Sequence, residues 1–200
     1  GGGVMAEGVR EDAQGRRCVM LIVVSVNVVV LEFRQADVVE RLTRLLAVHQ
    51  LPPTLLELEL TETILLQDAH EMELRLGALS ELGVSLAIDD FGTGYSSLAY
   101  LKKLPIHKLK IDQSFVRGLP EDDGDRAIVS AIISMGRALH IEVVAEGVET
   151  SAQRAVLQQM QCGHFQGYLC SPGLPSAEFR QLLGKSTLGL AQFAPERPAT

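Results

Sequence analysis

Two adjacent aspartates, Asp89 and Asp90, stand where an apolar run stops, in the stretch "SLAIDDFGTGYSSL" over residues 85–98. Like charges side by side repel, and each is costly to desolvate. A divalent cation makes such a pair tolerable, because its own charge dominates the local field. Other polar residues end apolar runs in the same way: Asn27 the first, Glu59 and Glu62 the second, Lys110 and Asp112 the fourth, Glu146 and Glu149 the fifth, with Gln166 inside the last. Several carboxylates, amides and one lysine, without histidine, form a hard oxygen-donor set. That set suits Mg²⁺, Mn²⁺ or Ca²⁺ and does not suit zinc or copper. Such sites act on phosphate esters, where two metals about 3.5–4 Å apart can activate a water and stabilise the attacking and leaving oxygens.

Taken singly, each residue has a plainer reading. Glu59 or Glu149 alone is a surface charge near a helix, Asn27 a turn residue, Lys110 half of a salt bridge, and Asp112 a cap for the turn before "QSF". The joint placement points to a site. The acidic run "PEDDGD" (residues 120–125) differs: it precedes a helix, where negative charge favours the N-terminus, and reads as a solvated cap. The five histidines are scattered and enter no site.

The elements that position these residues alternate along the chain. Residues 1–17 are Gly-rich and charged, with no clear core pattern. Strands are expected at 20–27, 55–60, 84–88, 108–111, 141–145 and 165–169. Helices are expected at 36–49, with Val38, Val39, Leu42, Leu45 and Leu46 on one face, and at 68–82, 96–103, 124–139 and 151–161, with a last one starting at Pro175. Asp68 with Glu71, and Thr150 with Gln153, read as capping pairs, while Gly83 and Gly163 read as helix stops. The strands read as continuous apolar runs, so both faces should be covered, as in a parallel sheet with outer helices. Strict β–α alternation fits a barrel or a doubly wound sheet. In either, all strand C-termini lie on one side, and in barrels that side holds the active site.

The bulk properties set limits. Two hundred residues, 46% hydrophobic and 22% charged, suggest one globular domain with tails. A net charge of −7 argues against binding polymeric nucleic acid by bulk charge. Three cysteines, Cys18, Cys162 and Cys170, lack zinc-like spacing, read as buried small hydrophobes and fit a reducing cytoplasm. The apolar run 18–31 is broken by Ser25 and Asn27 and falls short of a membrane span, and no signal-peptide pattern precedes it.

"DDFGTGYSSL", "KLKIDQSFV", "VVAEGVET" and "FQGYL", in this order, resemble the EAL domain, the bacterial cyclic-di-GMP-specific phosphodiesterase. "SVNVVVLEF" resembles its Asn-bearing strand and "LELELTET" an acidic motif, so the likeness covers about residues 20–182. The resemblance implies a modified TIM barrel with one antiparallel strand that cleaves cyclic di-GMP to linear pGpG with two Mg²⁺ or Mn²⁺ ions. It implies that Asn27, Glu59, Asp89, Asp90 and Glu146 hold metal, that Lys110 orients the attacking water, that Gln166 hydrogen-bonds nearby and that Glu149 supports them. The loop of Phe91, Gly92, Thr93, Gly94, Tyr95, Ser96 and Ser97, held by Glu62, would couple metal binding to homodimerisation.

Two departures stand out. The 200 residues contain no Glu-Ala-Leu stretch, whose glutamate is a metal ligand in the family; only 26 residues precede Asn27, and Glu7 in "MAEGVR" is not in such a motif. Val29 stands where the family usually has serine. The expectation is an α/β, incomplete TIM-like barrel lacking the first two strands, with residues 1–19 outside the match, 20–184 a partial domain and 185–200 a loose tail. Such a barrel exposes sheet edges. The expected function is a cyclic-di-GMP phosphodiesterase impaired by the missing strand. The alternative is a non-catalytic module that binds the nucleotide or a protein partner.

Overall fold

The computed structural model describes residues 4–10, 19–62, 64, 69–94, 98–175 and 178–179. Seven strands form one sheet in sequence order: β1 (Val4–Arg10), β2 (Val19–Val28), β3 (Leu56–Thr61), β4 (Ser85–Phe91), β5 (Lys108–Ile111), β6 (Glu142–Ala145) and β7 (His164–Phe165). β1 pairs antiparallel with β2, and every later pairing is parallel. Six parallel strands thus make an incomplete TIM-like barrel. Residues 4–10, which show no core pattern in the sequence, pair against the open edge of β2.

The helices between the strands are α1 (Val30–Phe33), α2 (Val38–Val48), α3 (Ala69–Leu82), α4 (Leu98–Leu101), α5 (Gln113–Arg117), α6 (Asp123–Leu139) and α7 (Ser151–Gln159). In a strand, alternate side chains face opposite sides. Leu58, Leu60, Leu86, Ile88, Leu109, Ile111, Val143 and Ala145 form the helix-facing rows and are buried. From the helices, Val129, Ile132 and Ile133 of α6 and Leu157 of α7 join the same core. The other face of β3 and β5 is polar, with Glu57, Glu59, Lys108 and Lys110 all buried. The expectation of continuous apolar strands therefore fails there: these strands alternate, because the barrel interior carries charge.

Capping follows the sequence where the described residues allow a check. Thr150 Oγ1 accepts from Gln153 N at 3.2 Å, and Gln153 Oε1 accepts from Thr150 N at 3.0 Å, closing the box that starts α7. Asp122 accepts from Asp125 N at 2.9 Å, the solvated cap expected for α6. Gly83 stops α3 with φ of 97°. The turn after α7 is made by Gln161 (φ 62°), two residues before the expected Gly163. Asp68 lies outside the described residues, as do Ser176 and Cys18.

Three smaller expectations are corrected. The last strand is two residues long, not five, so Gln166 follows it rather than lying within it. Leu45 is 54% exposed, because the buried arc of α2 runs through Val39, Leu42 and Leu46 and leaves Leu45 at its rim. Cys162 is buried as expected, whereas Cys170 is exposed. Val24 and Val26, on the helix-facing side of β2, are 42% and 40% exposed, so that edge of the barrel is thinly covered.

Candidate metal centre

Strand register assembles the site. Asn27 on β2 is the register partner of Glu59 on β3, and Glu59 is the partner of Ala87 on β4. Lys110 lies on β5 beside Val144 of β6, and Glu146 follows β6 directly. The C-terminal ends of five parallel strands therefore bring these polar residues to one rim.

The paired aspartates have a backbone explanation. Adjacent residues of a regular strand face opposite sides, so Asp89 and Asp90 should diverge. Between β4 and β5 the register runs Ala87↔Lys108, Ile88↔Leu109 and then Phe91↔Ile111, so both aspartates sit opposite Lys110. That is a β-bulge, which re-aims a side chain. Asp90 takes the left-handed conformation, φ 52°, a region that aspartate tolerates better than most residues. The result puts one ligand oxygen each from Asp89, Asp90 and Glu146 within 4.8 Å of one another.

Lys110 Nζ sits among these carboxylates, 2.9 Å from Glu59, 2.9 Å from Asp89 and 2.6 Å from Glu146. Ala87, small and fully buried, stands between β3 and β5 and leaves room for Lys110 to reach Glu59 across β4. Burial opposes the charge on Lys110, but Glu146, then Asp89 and Glu59, outweigh it and hold its pKa above the ordinary lysine value. Burial pushes Glu146 up to about 7, despite the opposing pull of Lys110. Asp90 is also raised, by burial first and then by Asp89 and Asp112. Among the described residues, four carboxylates thus share one ammonium. Asp89 Oδ1, though near that ammonium, is buried without a hydrogen bond of good geometry. An under-satisfied carboxylate in an excess of negative charge is what a hard divalent cation fits.

The loop after Asp90 is tied back to β3. Glu62 is buried just past β3, and its Oε2 accepts from Gly92 N at 3.3 Å and from Gly94 N at 3.0 Å. Gly92 has φ of 102°, a conformation that needs glycine. Thr93 Oγ1 donates to the Asp90 carbonyl at 2.9 Å, and Phe91 is buried. Tyr95, Ser96 and Ser97 lie outside the described residues. On the other flank, Gln166 Nε2 donates to Glu146 Oε1 at 2.6 Å.

A family model, the EAL domain, matches residues 4–173. The chain belongs to the EAL domain family. This EAL chain is 45% identical over 155 residues to the Pseudomonas aeruginosa protein MucR, named a bifunctional diguanylate cyclase/cyclic di-GMP phosphodiesterase, covering 78% of this chain and 23% of that one. It is 46% identical over 160 residues to the cyclic di-GMP phosphodiesterase NbdA of the same organism, covering 80% and 20%. The chain thus spans only about a fifth of the length of these relatives. Among solved structures, the MucR phosphodiesterase in complex with c-di-GMP superposes with a TM-score of 0.75 at 45% identity, over 78% of this chain and 63% of that one. A Klebsiella pneumoniae relative, BlrP1, solved with manganese and the same nucleotide, gives 0.67 at 35% identity, over 72% and 37%. Among the described residues of this EAL chain, no helix is long and apolar enough to cross a membrane.

Glu149 is exposed and lies outside the Asp89–Asp90–Glu146 group; its backbone N–H donates to Gln153 at 2.8 Å, in the start of α7. Asn27 is exposed at the rim beside Glu59. Asp112 caps α5 by accepting from Ser114 N at 2.9 Å, which is its plainer reading. Hydrogen bonds from Ser114 overcome burial and hold the Asp112 pKa below the ordinary value. The sequence reading missed Ser25, Glu57, Ser85 and Lys108, a second buried polar group inside the barrel. The signal was strand periodicity: Ser25, Glu57 and Lys108 each lie two residues before Asn27, Glu59 and Lys110.

Proposed function

We propose that this EAL site binds cyclic di-GMP and hydrolyses one of its phosphodiester bonds to give linear pGpG. The observation that carries this reading is the bulge that gathers Asp89, Asp90 and Glu146 into one oxygen cluster around Lys110. Asn27, Glu59, Asp89, Asp90 and Glu146 would hold two Mg²⁺ or Mn²⁺ ions. Those ions would supply Lewis-acid stabilisation of phosphate charge and make the attacking water more acidic. Lys110 orients that water, and Gln166, through its bond to Glu146, keeps that carboxylate aimed inward. Glu149 supports the start of α7 next to Glu146. Glu62 fixes the loop Phe91–Gly94, through which a homodimer partner could sense the site. A cytoplasmic setting, where the nucleotide and reduced thiols coexist, suits this reading.

The 200 residues hold no Glu-Ala-Leu stretch, so on their own they would offer the metals one carboxylate fewer than the family pattern and would cleave slowly. The same observation favours the second reading, a module that binds the nucleotide without cleaving it. Purified chain incubated with cyclic di-GMP and Mn²⁺ separates the two. Slow pGpG release that vanishes in Asp89→Asn supports hydrolysis. Nucleotide binding without product supports the module. Neither binding nor product refutes both.

A further inference from the structure

Beneath the carboxylate cluster, the barrel interior holds a second charged row that the proposed chemistry does not use. Lys108 Nζ lies 2.7 Å from Glu57 Oε2, with 6% and 1% of the two side chains exposed. Ser25 Oγ donates to Glu57 Oε1 at 2.9 Å, and Ser85 Oγ to Oε2 at 3.3 Å. The Glu57 carboxylate is therefore fully engaged by three groups from three strands. A buried ion pair is a poor way to gain stability, since well-packed apolar residues often serve as well or better. Its presence calls for another reason.

The register supplies one. Ala87 is the partner of Glu59 on one side and of Lys108 on the other, so Lys108 starts level with Glu59. Lys110 starts one row higher, opposite Asp89, whose β3 partner is Thr61, and both ammoniums lean one row down: that of Lys110 to Glu59 and that of Lys108 to Glu57. We infer that Glu57 is a positioning residue: a counter-ion that holds Lys108 out of the metal row and keeps a second ammonium off Glu59. A second ammonium there would occupy the place of a cation and cancel part of the charge that attracts it. The inference rests on reading the upper row as a cation site, and it adds a role for residues below that site.

The full chain carrying Glu57→Gln, Lys108→Met or both provides the test. In chelator, Lys108→Met strands the buried Glu57 charge, and the melting temperature should drop by about 10 °C. Glu57→Gln should cost less than half of that, because the released ammonium has Glu59 in its own row. Mn²⁺ titration followed by electron paramagnetic resonance should show binding weakened about tenfold or more in Glu57→Gln and restored to within about threefold in the double variant. Equal melting drops in the two single variants overturn the inference, because they mean that Lys108 finds no second partner. Unchanged Mn²⁺ affinity in Glu57→Gln overturns it too, as does a double variant that binds no better than Glu57→Gln. If the wild-type chain binds no Mn²⁺, the cation-site reading fails, and the difference between the two melting drops still decides where Lys108 goes.

Discussion

Replacing Lys110 by methionine removes the one ammonium among four carboxylates while keeping the length of the side chain. The ammonium touches Glu59, Asp89 and Glu146 at 2.9, 2.9 and 2.6 Å, and the Glu59 side chain is only 5% exposed. Removing one partner of a buried pair costs about 3–5 kcal/mol. In a chain of this size each kcal/mol moves the melting temperature by about 2–4 °C, so a fall of about 10 °C is expected in chelator at pH 8. Proton uptake softens the loss at lower pH, because burial already pushes Glu146 up to about 7. The fall at pH 6 should therefore be smaller. Mn²⁺ should take over the missing charge, so its addition should raise the melting temperature of Lys110→Met by more than that of the wild type. Differential scanning fluorimetry with EDTA or Mn²⁺ at the two pH values reads all of this. A fall under about 2 °C in EDTA at pH 8 would refute the argument that Lys110 neutralises the cluster.

Other positions give separate checks. The folded-state pKa of Glu146 is raised from its ordinary 4.5 to about 7, so the stability it contributes is present below about 4.5 and lost as pH rises through about 7. In EDTA, urea denaturation should show the chain weakening by at most about 3 kcal/mol from this group across that window, and Mn²⁺ affinity should rise over it; a flat profile in both counts against the burial argument. Val29 is the N-cap of α1 and offers no side-chain cap, so Val29→Ser should stabilise by about 1 kcal/mol, read as a higher midpoint in urea. In Gly94→Ala, the new Cβ would meet the Glu62 carboxylate at 2.9–3.1 Å and push it off the loop. Amide exchange at position 92 should then quicken about tenfold, the worth of a charge-assisted hydrogen bond, and unchanged protection would mean that Glu62 does not hold the loop.

Much of the site was legible because it lies at strand ends. Apolar runs end at Asn27, Glu59, Asp89, Lys110 and Glu146, and parallel strands must end on one side, so their convergence follows from topology alone. What the sequence could not display was the bulge. Nothing in the letters "DD" says that Asp90 turns left-handed and swings to the same rim as Asp89. The lower row was hidden for another reason. Glu57 and Lys108 interrupt apolar strands at period two, but a buried charge is rare enough that each reads as a surface residue until its partner is seen. Residues 4–10 carry too little hydrophobic pattern to announce a strand, and their pairing with β2 depends on an edge that only the assembled sheet provides. Glu149 follows the same strand end as Glu146, and its backbone N–H is taken up by Gln153 at the start of α7, a partner that only the folded turn displays.

The proposed function requires this rim to hold divalent metal against cyclic di-GMP. Anomalous diffraction at the manganese edge, from crystals of the chain grown with Mn²⁺ and the nucleotide, tests it most directly. Manganese peaks are expected among Asp89, Asp90 and Glu146, reaching toward Asn27 and Glu59, with a phosphate of the nucleotide against them. Nucleotide bound elsewhere, or a cluster without manganese in which Lys110 still bridges Glu59, Asp89 and Glu146, would contradict it.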